Sequence, residues 1–193
     1  MKVRCEWANV NELEKQYHDT EWGSPVHDDR KLFEFLILEG AQAGLSWDSI
    51  LKRREGYRKA FDDFDYKLVA AYDDAKVEEL LQDTGIIRNR RKILSAIKNA
   101  SAFIEIRDEF GSFDNYIWGF LEDGKAVQNS WNSMEEVPAN TELSEKISKD
   151  MKKRGFSFVG PTIVYAFMQA VGMVNDHEIG CFRYEECRKL AEK

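Results

Sequence analysis

Cysteine, proline and long apolar stretches are scarce in this chain of 193 residues. Its three cysteines are an odd number, which favours free thiols or metal ligands over a framework of disulfides. The longest apolar stretch, residues 162–174, is interrupted by Gln169 and is too short to span a bilayer. The first six residues carry no apolar stretch behind their charges, so we expect no signal peptide. We therefore expect a cytoplasmic protein without membrane association.

Acidic side chains are absent from residues 85–100, although the formal net charge of the chain is −7. That stretch is basic, and two further basic clusters occupy residues 52–54 and 152–154. The net charge argues weakly against nucleic-acid binding, and a basic stretch is usually only a solvated face. Three clusters at or near predicted helix ends nevertheless favour a localised site for a polyanion.

Apolar residues recur at three- and four-residue spacing along most of the chain, and no segment alternates strictly. We therefore predict an all-α protein with two helical groups and a cleft between them. Residues 1–193 are expected to form a single domain, with a central helical bundle at about residues 30–121. The N- and C-terminal segments would form the second lobe. The polar stretch 122–141, which holds one of only three prolines, is the predicted main loop.

One carboxylate falls on an apolar helix face. Glu39 follows Leu32 by seven residues and Leu36 by three, so its side chain is expected to point inward. Small residues at 40–44 leave room beside it, and Trp47 comes next. A buried carboxylate is costly unless it is paired or serves a ligand. The pattern indicates a pocket for a flat, donor-bearing or cationic ligand, but a structural glutamate that caps a neighbouring loop fits it equally well.

Four residues with soft ligand atoms form two pairs at opposite ends of the chain. Twelve residues separate Cys5 from His18, and three separate His177 from Cys181, one turn apart if that segment is helical. Cysteine and histidine are the ligands that zinc prefers, and four of them complete a closed, structural site. The spacing alone is also compatible with buried core histidines and inert thiols.

A glycine-bearing segment at residues 155–160 follows the basic cluster and precedes an apolar helix. Such a turn presents free backbone N–H groups and the positive end of a helix dipole to a phosphate. Lys153 adds positive charge, and Gly155 and Gly160 give the turn its freedom. The pattern is typical of a helix-hairpin-helix element, which holds a DNA backbone without reading bases.

Several motifs together resemble the DNA-3-methyladenine glycosylase I family, and the similarity runs essentially from end to end. The most specific of them is the segment 38–47, with the sequence LEGAQAGLSW. The others are Cys5-Glu6-Trp7, Tyr17-His18-Asp19, Glu21-Trp22-Gly23, Gly85-Ile86-Ile87-Arg88, residues 152–160 and Asn175-Asp176-His177.

The resemblance implies a helix-hairpin-helix DNA-repair fold, a structural zinc and a base pocket. The implied zinc ligands are Cys5, His18, His177 and Cys181. The implied pocket has Glu39 as the catalytic residue, with Tyr17, Trp47 and Trp7 binding the substrate. We expect DNA contacts from Gln42, Leu45, Lys153, Gly155 and Gly160, with Leu45 as a wedge at the tip of the Gly44 turn.

The expected activity is hydrolytic release of 3-methyladenine from alkylated double-stranded DNA by a monomer, with the free base as product. No lysine stands out as a Schiff-base nucleophile, so we expect no strand cleavage. Asp176 directly precedes a presumed zinc ligand and receives no catalytic role, and Cys187 receives none either. An iron–sulfur lyase would need four clustered cysteines. A non-enzymatic, zinc-stabilised DNA-binding or adapter protein is the alternative, although it has no use for an inward Glu39.

Overall fold

The computed structural model describes residues 2–192, and α-helices dominate them as the periodicity predicts. The helices are α1 (Glu12–Thr20), α2 (Asp29–Gln42), α3 (Trp47–Leu51), α4 (Arg54–Ala60), α5 (Tyr66–Ala70), α6 (Asp74–Gln82), α7 (Arg90–Phe110), α8 (Phe113–Trp118), α9 (Glu142–Lys153), α10 (Pro161–Ala170) and α11 (Phe182–Leu190). In the same residues, no helix has both the length and the apolar character needed to cross a membrane.

Strands are incidental. Two parallel segments of two residues each, β1 (Val127–Gln128) and β2 (Val174–Asn175), pair with Val127 opposite Val174. Strand β1 lies in the predicted main loop, which otherwise contains only short 3₁₀ turns. The pairing ties this long connection to the segment that precedes α11.

Helix α2 is the centre of the molecule. Its residues from Leu32 to Ala41 are all buried, and the helix packs against α3, α7, α8 and α10. Phe33 of α2 meets Phe103 of α7 edge to face, with ring centroids 5.2 Å apart. A single apolar cluster extends from Cys5 to Cys181 and joins all these helices. A helix buried on every side holds its side chains in fixed rotamers, which suits α2 to carry an inward carboxylate.

The basic cluster at residues 52–54 divides into two environments. Arg54 is 7% exposed and donates to Glu34 and to both carboxylate oxygens of Glu21, at 2.7 to 2.8 Å. Lys52 is exposed and pairs with Asp48 four residues earlier. Arg54 is therefore a structural cation that joins α4 to α2 and to the loop after α1, and only its neighbours remain for a polyanion.

Replacement of Arg54 by alanine should lower the free energy of unfolding by about 3 to 5 kcal/mol, because Glu34 would stay buried with only the half-exposed Arg58 beside it. Lys52→Ala is the control and should cost less than about 1 kcal/mol, since exposed ion pairs contribute little. Urea denaturation monitored by circular dichroism measures both. Equal, small losses would show that the buried network does not stabilise the fold.

Candidate functional site

Glu39 is buried in α2 as its spacing predicts, with 4% of its surface exposed. Burial raises the pKa of its carboxyl to about 8. No hydrogen bond from residues 2–192 reaches this carboxyl, and no neighbouring cation lowers its pKa. The alternative of a glutamate that caps a neighbouring loop has no support, because capping would require a backbone N–H donor at the carboxylate.

A cavity of about 370 Å³ opens beside Glu39. Four aromatic side chains line it, and its walls come from α1, α2, α3, α10, the 3₁₀ turn Glu6–Asn9, the loop after α1 and the long loop before α9. The lining residues are Trp7, Val10, Glu14, Tyr17, Trp22, Glu39, Gln42, Trp47, Met134, Ala166 and Gln169. This volume lies in the range of small-molecule sites. All four residues predicted for the base pocket lie in its wall.

The aromatic rings of the wall brace one another. The Tyr17 and Trp47 rings lie 5.4 Å apart at an interplanar angle of 49°. Trp7 meets Trp22 edge to face at 5.1 Å and lies 6.3 Å from Tyr17. Such contacts fix ring planes more firmly than apolar packing alone. The cavity therefore presents rigid π faces and a carboxyl, which together suit a flat cation.

Unpaired polar atoms concentrate at this cavity. Among the described residues, four side-chain atoms that are themselves completely buried have no hydrogen-bond partner, and three of them belong to wall residues. They are Glu14 Oε2, Tyr17 Oη and Trp47 Nε1; the fourth is Arg183 Nε. Leaving a buried donor or acceptor unpaired costs about 1 to 3 kcal/mol. This concentration of unpaired groups indicates a wall shaped for a polar ligand.

A second opening joins the cavity at the turn after α2. Gln42 and Glu39 line both spaces, and Leu45 lines the outer one with 41% of its surface exposed. Lys92 of α7 donates from Nζ to the carbonyl oxygens of Ala41 and Ala43, at 2.8 and 2.7 Å. The ammonium thus caps the last turn of α2 and fixes the exposed leucine beside the cavity mouth.

The predicted glycine turn lies between α9 and α10 and is held from both sides. Gly155 adopts φ +95°, and Gly160 is the N-cap of α10. The buried Asn99 side chain exchanges two hydrogen bonds with the backbone of Ser157, at 2.8 and 2.9 Å. Lys153 is exposed at the end of α9. The turn is therefore preformed, with a helix N-terminus and the exposed Lys152 and Lys153 beside it.

Arg154 does not extend this basic surface. Its guanidinium pairs with Glu109 and with Asp150. Asp150 also accepts a hydrogen bond from the Tyr116 hydroxyl at 2.8 Å. Most of the charge of Arg154 is therefore compensated within the protein, as it is for Arg54.

The four predicted ligand residues converge on one buried point. Their ligand atoms lie within 4.8 Å of one another and could hold a metal ion. Cys5 Sγ lies 3.5 Å from His177 Nδ1, and Cys181 Sγ lies 3.4 Å from His18 Nε2. The segment from His177 to Cys181 is a turn rather than a helix, and Cys181 is the N-cap of α11.

The outer hydrogen bonds of the cluster fix its histidines. His18 Nδ1 bonds to Asp19 at 2.9 Å, and Arg4 in turn holds that carboxylate. His177 Nε2 bonds to the carbonyl oxygen of Trp22 at 3.1 Å. These bonds leave His18 Nε2 and His177 Nδ1 facing the two thiols. Such outer partners orient histidine ligands in metal sites.

Gly23 allows the His177 ring to lie this close to the loop after α1. It adopts φ +77°, and a Cβ there would lie only 2.8 Å from His177 Nε2. Any side chain at this position would therefore press on the cluster as well as strain the backbone.

Asp176 is fully engaged by the protein. Its carboxylate accepts hydrogen bonds from Asn129, Trp131, Tyr165 and Gln169, at 2.6 to 2.8 Å. With 1% of its surface exposed, it has no free oxygen to offer to substrate or water. Asp176 therefore joins the segment after β1 to α10 and fixes the amide of Gln169 at the cavity wall.

Sequence reasoning missed six residues of the cavity wall: Val10, Glu14, Trp22, Met134, Ala166 and Gln169. A signal for Glu14 exists, because it precedes Tyr17 by three residues on α1 and so shares its helix face. Trp22 lies within a recognised motif. Met134 reaches the cavity from the long loop, and no local pattern predicts that contact.

Comparison with known proteins gives the same picture. The Methyladenine glycosylase family model matches residues 7–184. The chain is 48% identical over 181 residues to DNA-3-methyladenine glycosylase 1 of Escherichia coli, covering 94% of this chain and 96% of that protein. A crystal structure of 3-methyladenine DNA glycosylase I aligns with TM-score 0.90 at 49% identity, over 93% of this chain and 98% of that one.

A structure with lower sequence identity to this chain has the same fold. It describes 3-methyladenine recognition by 3-methyladenine DNA glycosylase I from Staphylococcus aureus and aligns with TM-score 0.89 at 31% identity, over 93% of this chain and 95% of that one. Both the fold and the sequence thus match along nearly the whole chain. The chain therefore belongs to the methyladenine glycosylase family.

Proposed function

We propose that this protein is a DNA-repair glycosylase that hydrolytically releases 3-methyladenine from alkylated double-stranded DNA. The observation that carries the proposal is the aromatic cavity with a buried, unpaired carboxyl at Glu39. The relatives named for this activity support it. The free base is the proposed product, and the proposed reaction stops before strand cleavage.

The charge of the lesion explains how a cavity with aromatic faces and a carboxyl can be sufficient for the proposed reaction. Methylation at N3 makes adenine cationic, and the base leaves neutral, so the glycosidic bond is already weakened. The faces of Tyr17 and Trp47 hold the cation, at about 0.5 to 2 kcal/mol for each ring. The approaching charge also lowers the raised pKa of Glu39 and favours its ionised form. Ionised Glu39 accepts a hydrogen bond from the exocyclic amine while water attacks the sugar.

The lesion must leave the duplex before it reaches this cavity, at a cost of a few kcal/mol. We propose that Leu45 fills the vacated stack from the turn that Lys92 holds, with Gln42 beside it at the cavity mouth. Lys153 and the backbone at Gly155 and Gly160 would grip phosphates in the manner of a helix-hairpin-helix element. The preformed turn between α9 and α10 supports this assignment.

We propose zinc as the metal at Cys5, His18, His177 and Cys181. Zinc bonds of about 2.3 Å to sulfur and 2.0 to 2.1 Å to nitrogen place tetrahedral ligands roughly 3.5 Å apart. The cluster's sulfur–nitrogen contacts of 3.4 to 3.7 Å fit that geometry. Four protein ligands leave no open position, so the ion's contribution is structural: it would tie the N-terminal segment to the start of α11.

We further propose that residues 1–193 act as one glycosylase domain and as a monomer, since one chain supplies the whole cavity wall. The two helical groups would be the bundle at about residues 30–121 and the lobe made by the terminal segments. The three free, buried cysteines suit a cytoplasmic, reducing environment.

The substrate preference is the first test. We expect release of 3-methyladenine in strong preference to 7-methylguanine, although both bases are cationic. Adenine offers Glu39 an amine donor where guanine offers a carbonyl oxygen, and this mismatch costs about 1 to 3 kcal/mol, or roughly a factor of 5 to 150. Chromatography of bases released from DNA treated with a methylating agent measures both rates. Comparable rates would show that Glu39 does not read the amine, and no release of either base would refute the proposed activity.

Glu39→Gln should lower kcat/KM for 3-methyladenine release by roughly 10- to 150-fold, since a hydrogen bond to a charged acceptor contributes about 1.5 to 3 kcal/mol. The substitution should not lower the stability of the fold. Burial raises the folded-state pKa of Glu39 to about 8, above the ordinary value of 4.5. The stability that the protonated carboxyl contributes is therefore fully present below about pH 4.5 and is lost as pH rises through 8. At pH 9 the variant should therefore melt at or above the wild-type temperature. A lower melting temperature with unchanged specific activity would make Glu39 merely structural.

Elemental analysis of protein purified without chelator should find one zinc per chain. Cys181→Ser should lose the zinc and leave both termini open to proteolysis, because apparent binding energies at structural zinc sites reach about 10 to 16 kcal/mol. Cys187→Ser is the matched control: it is also a buried cysteine but lies outside the cluster, so it should keep the metal. Well-folded wild-type protein with almost no metal would refute the zinc assignment.

A further inference from the structure

Glu14 is a second carboxylate in the cavity wall, and the mechanism above makes no use of it. It comes from α1, whereas Glu39 comes from α2, and the two line the same space. Glu14 is 8% exposed, and its Oε2 is buried without a hydrogen-bond partner. Its neighbour one turn later on the same helix is Tyr17, a proposed substrate contact.

The helix does not require Glu14 to face the cavity. Asn11 caps α1 by accepting a hydrogen bond from the Glu14 backbone N–H at 3.0 Å. A glutamate at this third helical position commonly bonds back to the N–H of the capping residue, where it stays in solvent. Among residues 2–192 no such bond forms here, and the side chain lies buried instead. Helix capping therefore explains the hydrogen bond of the Glu14 backbone N–H, but it does not explain why the Glu14 side chain is buried.

Nearby charges do not neutralise Glu14. Asp48 and Lys52 are the closest charged groups of neighbouring elements that act on it, and they pair with each other at 2.6 Å. Asp48 also accepts a hydrogen bond from Asn11 at 3.0 Å. Burial, with the added repulsion of Asp48, raises the pKa of Glu14. The folded protein thus carries at the cavity wall a buried carboxyl oxygen without a hydrogen-bond partner, and the cation that acts on it, Lys52, is paired with Asp48.

We propose that Glu14 is a specificity-determining residue of the base pocket, which together with Glu39 makes the cavity select permanently cationic purines over neutral ones. This inference rests on the proposed function. Two carboxylates on different walls attract a cation placed between them, whereas a neutral base gains only hydrogen bonds and stacking. The ligand class is an N-alkylated, positively charged adenine.

The test compares two ligands that differ by one positive charge. The cation is 3,9-dimethyladeninium, which stays charged throughout the neutral pH range, and the neutral ligand is 9-methyladenine. Quenching of tryptophan fluorescence gives the dissociation constant of the cation directly, and competition against it gives that of the neutral base. In Glu14→Gln the ratio of the two affinities should fall roughly tenfold, because the variant replaces a charged acceptor by a neutral one.

Glu12→Gln is the matched control. It lies in the same first turn of α1, so both substitutions remove an acidic side chain from the positive end of the helix dipole. The side chain of Glu12 is 89% exposed and contributes nothing to the cavity wall. We expect Glu12→Gln to leave the affinity ratio unchanged, and both variants to melt within a few degrees of the wild type.

Three outcomes would overturn the role of Glu14. They are an unchanged ratio in Glu14→Gln, a parallel loss of affinity for both ligands with a lower melting temperature, and failure of the wild type to prefer the cation. Release of 3-methyladenine from methylated DNA by the wild type is measured alongside. If release occurs and the ratio does not change, only the inference about Glu14 fails; if no base is released, the proposed function itself fails.

Discussion

Four buried cysteine and histidine side chains bring the two ends of the chain together, and the wall of the cavity depends on that junction. His18 belongs to the cluster, and the preceding residue on α1, Tyr17, enters the cavity. Trp22 accepts a bond from His177 through its carbonyl while its ring lines the cavity, and Trp7 packs edge-on against His18. The aromatic wall therefore belongs to the same part of the structure that joins the two ends of the chain.

The opposite wall is stabilised in a different way. Helix α2 is buried on every side from Leu32 to Ala41, and its last turn is held by Lys92. Against this rigid support the protein maintains unpaired polar groups at the cavity: Glu39, Glu14 Oε2, Tyr17 Oη and Trp47 Nε1. Each reduces the stability of the empty protein. Their concentration at one cavity is the pattern expected when stability is given up for ligand binding.

The sequence alone was sufficient to predict a feature wherever the local pattern and the chemistry of the side chains agree. Helical spacing placed Glu39 inward, and the structure confirms its burial. Ligand type selected Cys5, His18, His177 and Cys181, and the structure brings the four side chains together, with a turn rather than a helix between the last two. The pairing of two distant segments has no local signal, so spacing alone could not distinguish a metal site from buried thiols.

Prediction failed where partners come from elsewhere in the chain. Arg54 looked like part of a basic surface because its neighbours are basic, but its carboxylate partners lie 20 and 33 residues earlier. Glu14 shares a helix face with Tyr17, but only the tertiary structure brings its side chain to the cavity wall. For both residues, burial and long-range charge override what the local sequence favours.

The ammonium of Lys92 has a consequence for how a lesion would be found. Because it binds the last carbonyl oxygens of α2, the turn that carries Leu45 belongs to the folded framework and is already ordered before DNA arrives. If Leu45 is the wedge proposed above, little conformational entropy of the protein is lost when it enters the base stack. The barrier to insertion would then lie mainly in the DNA, and weakly stacked or damaged steps would admit the leucine first. Search along a duplex would be governed by the deformability of DNA rather than by loop closure in the protein.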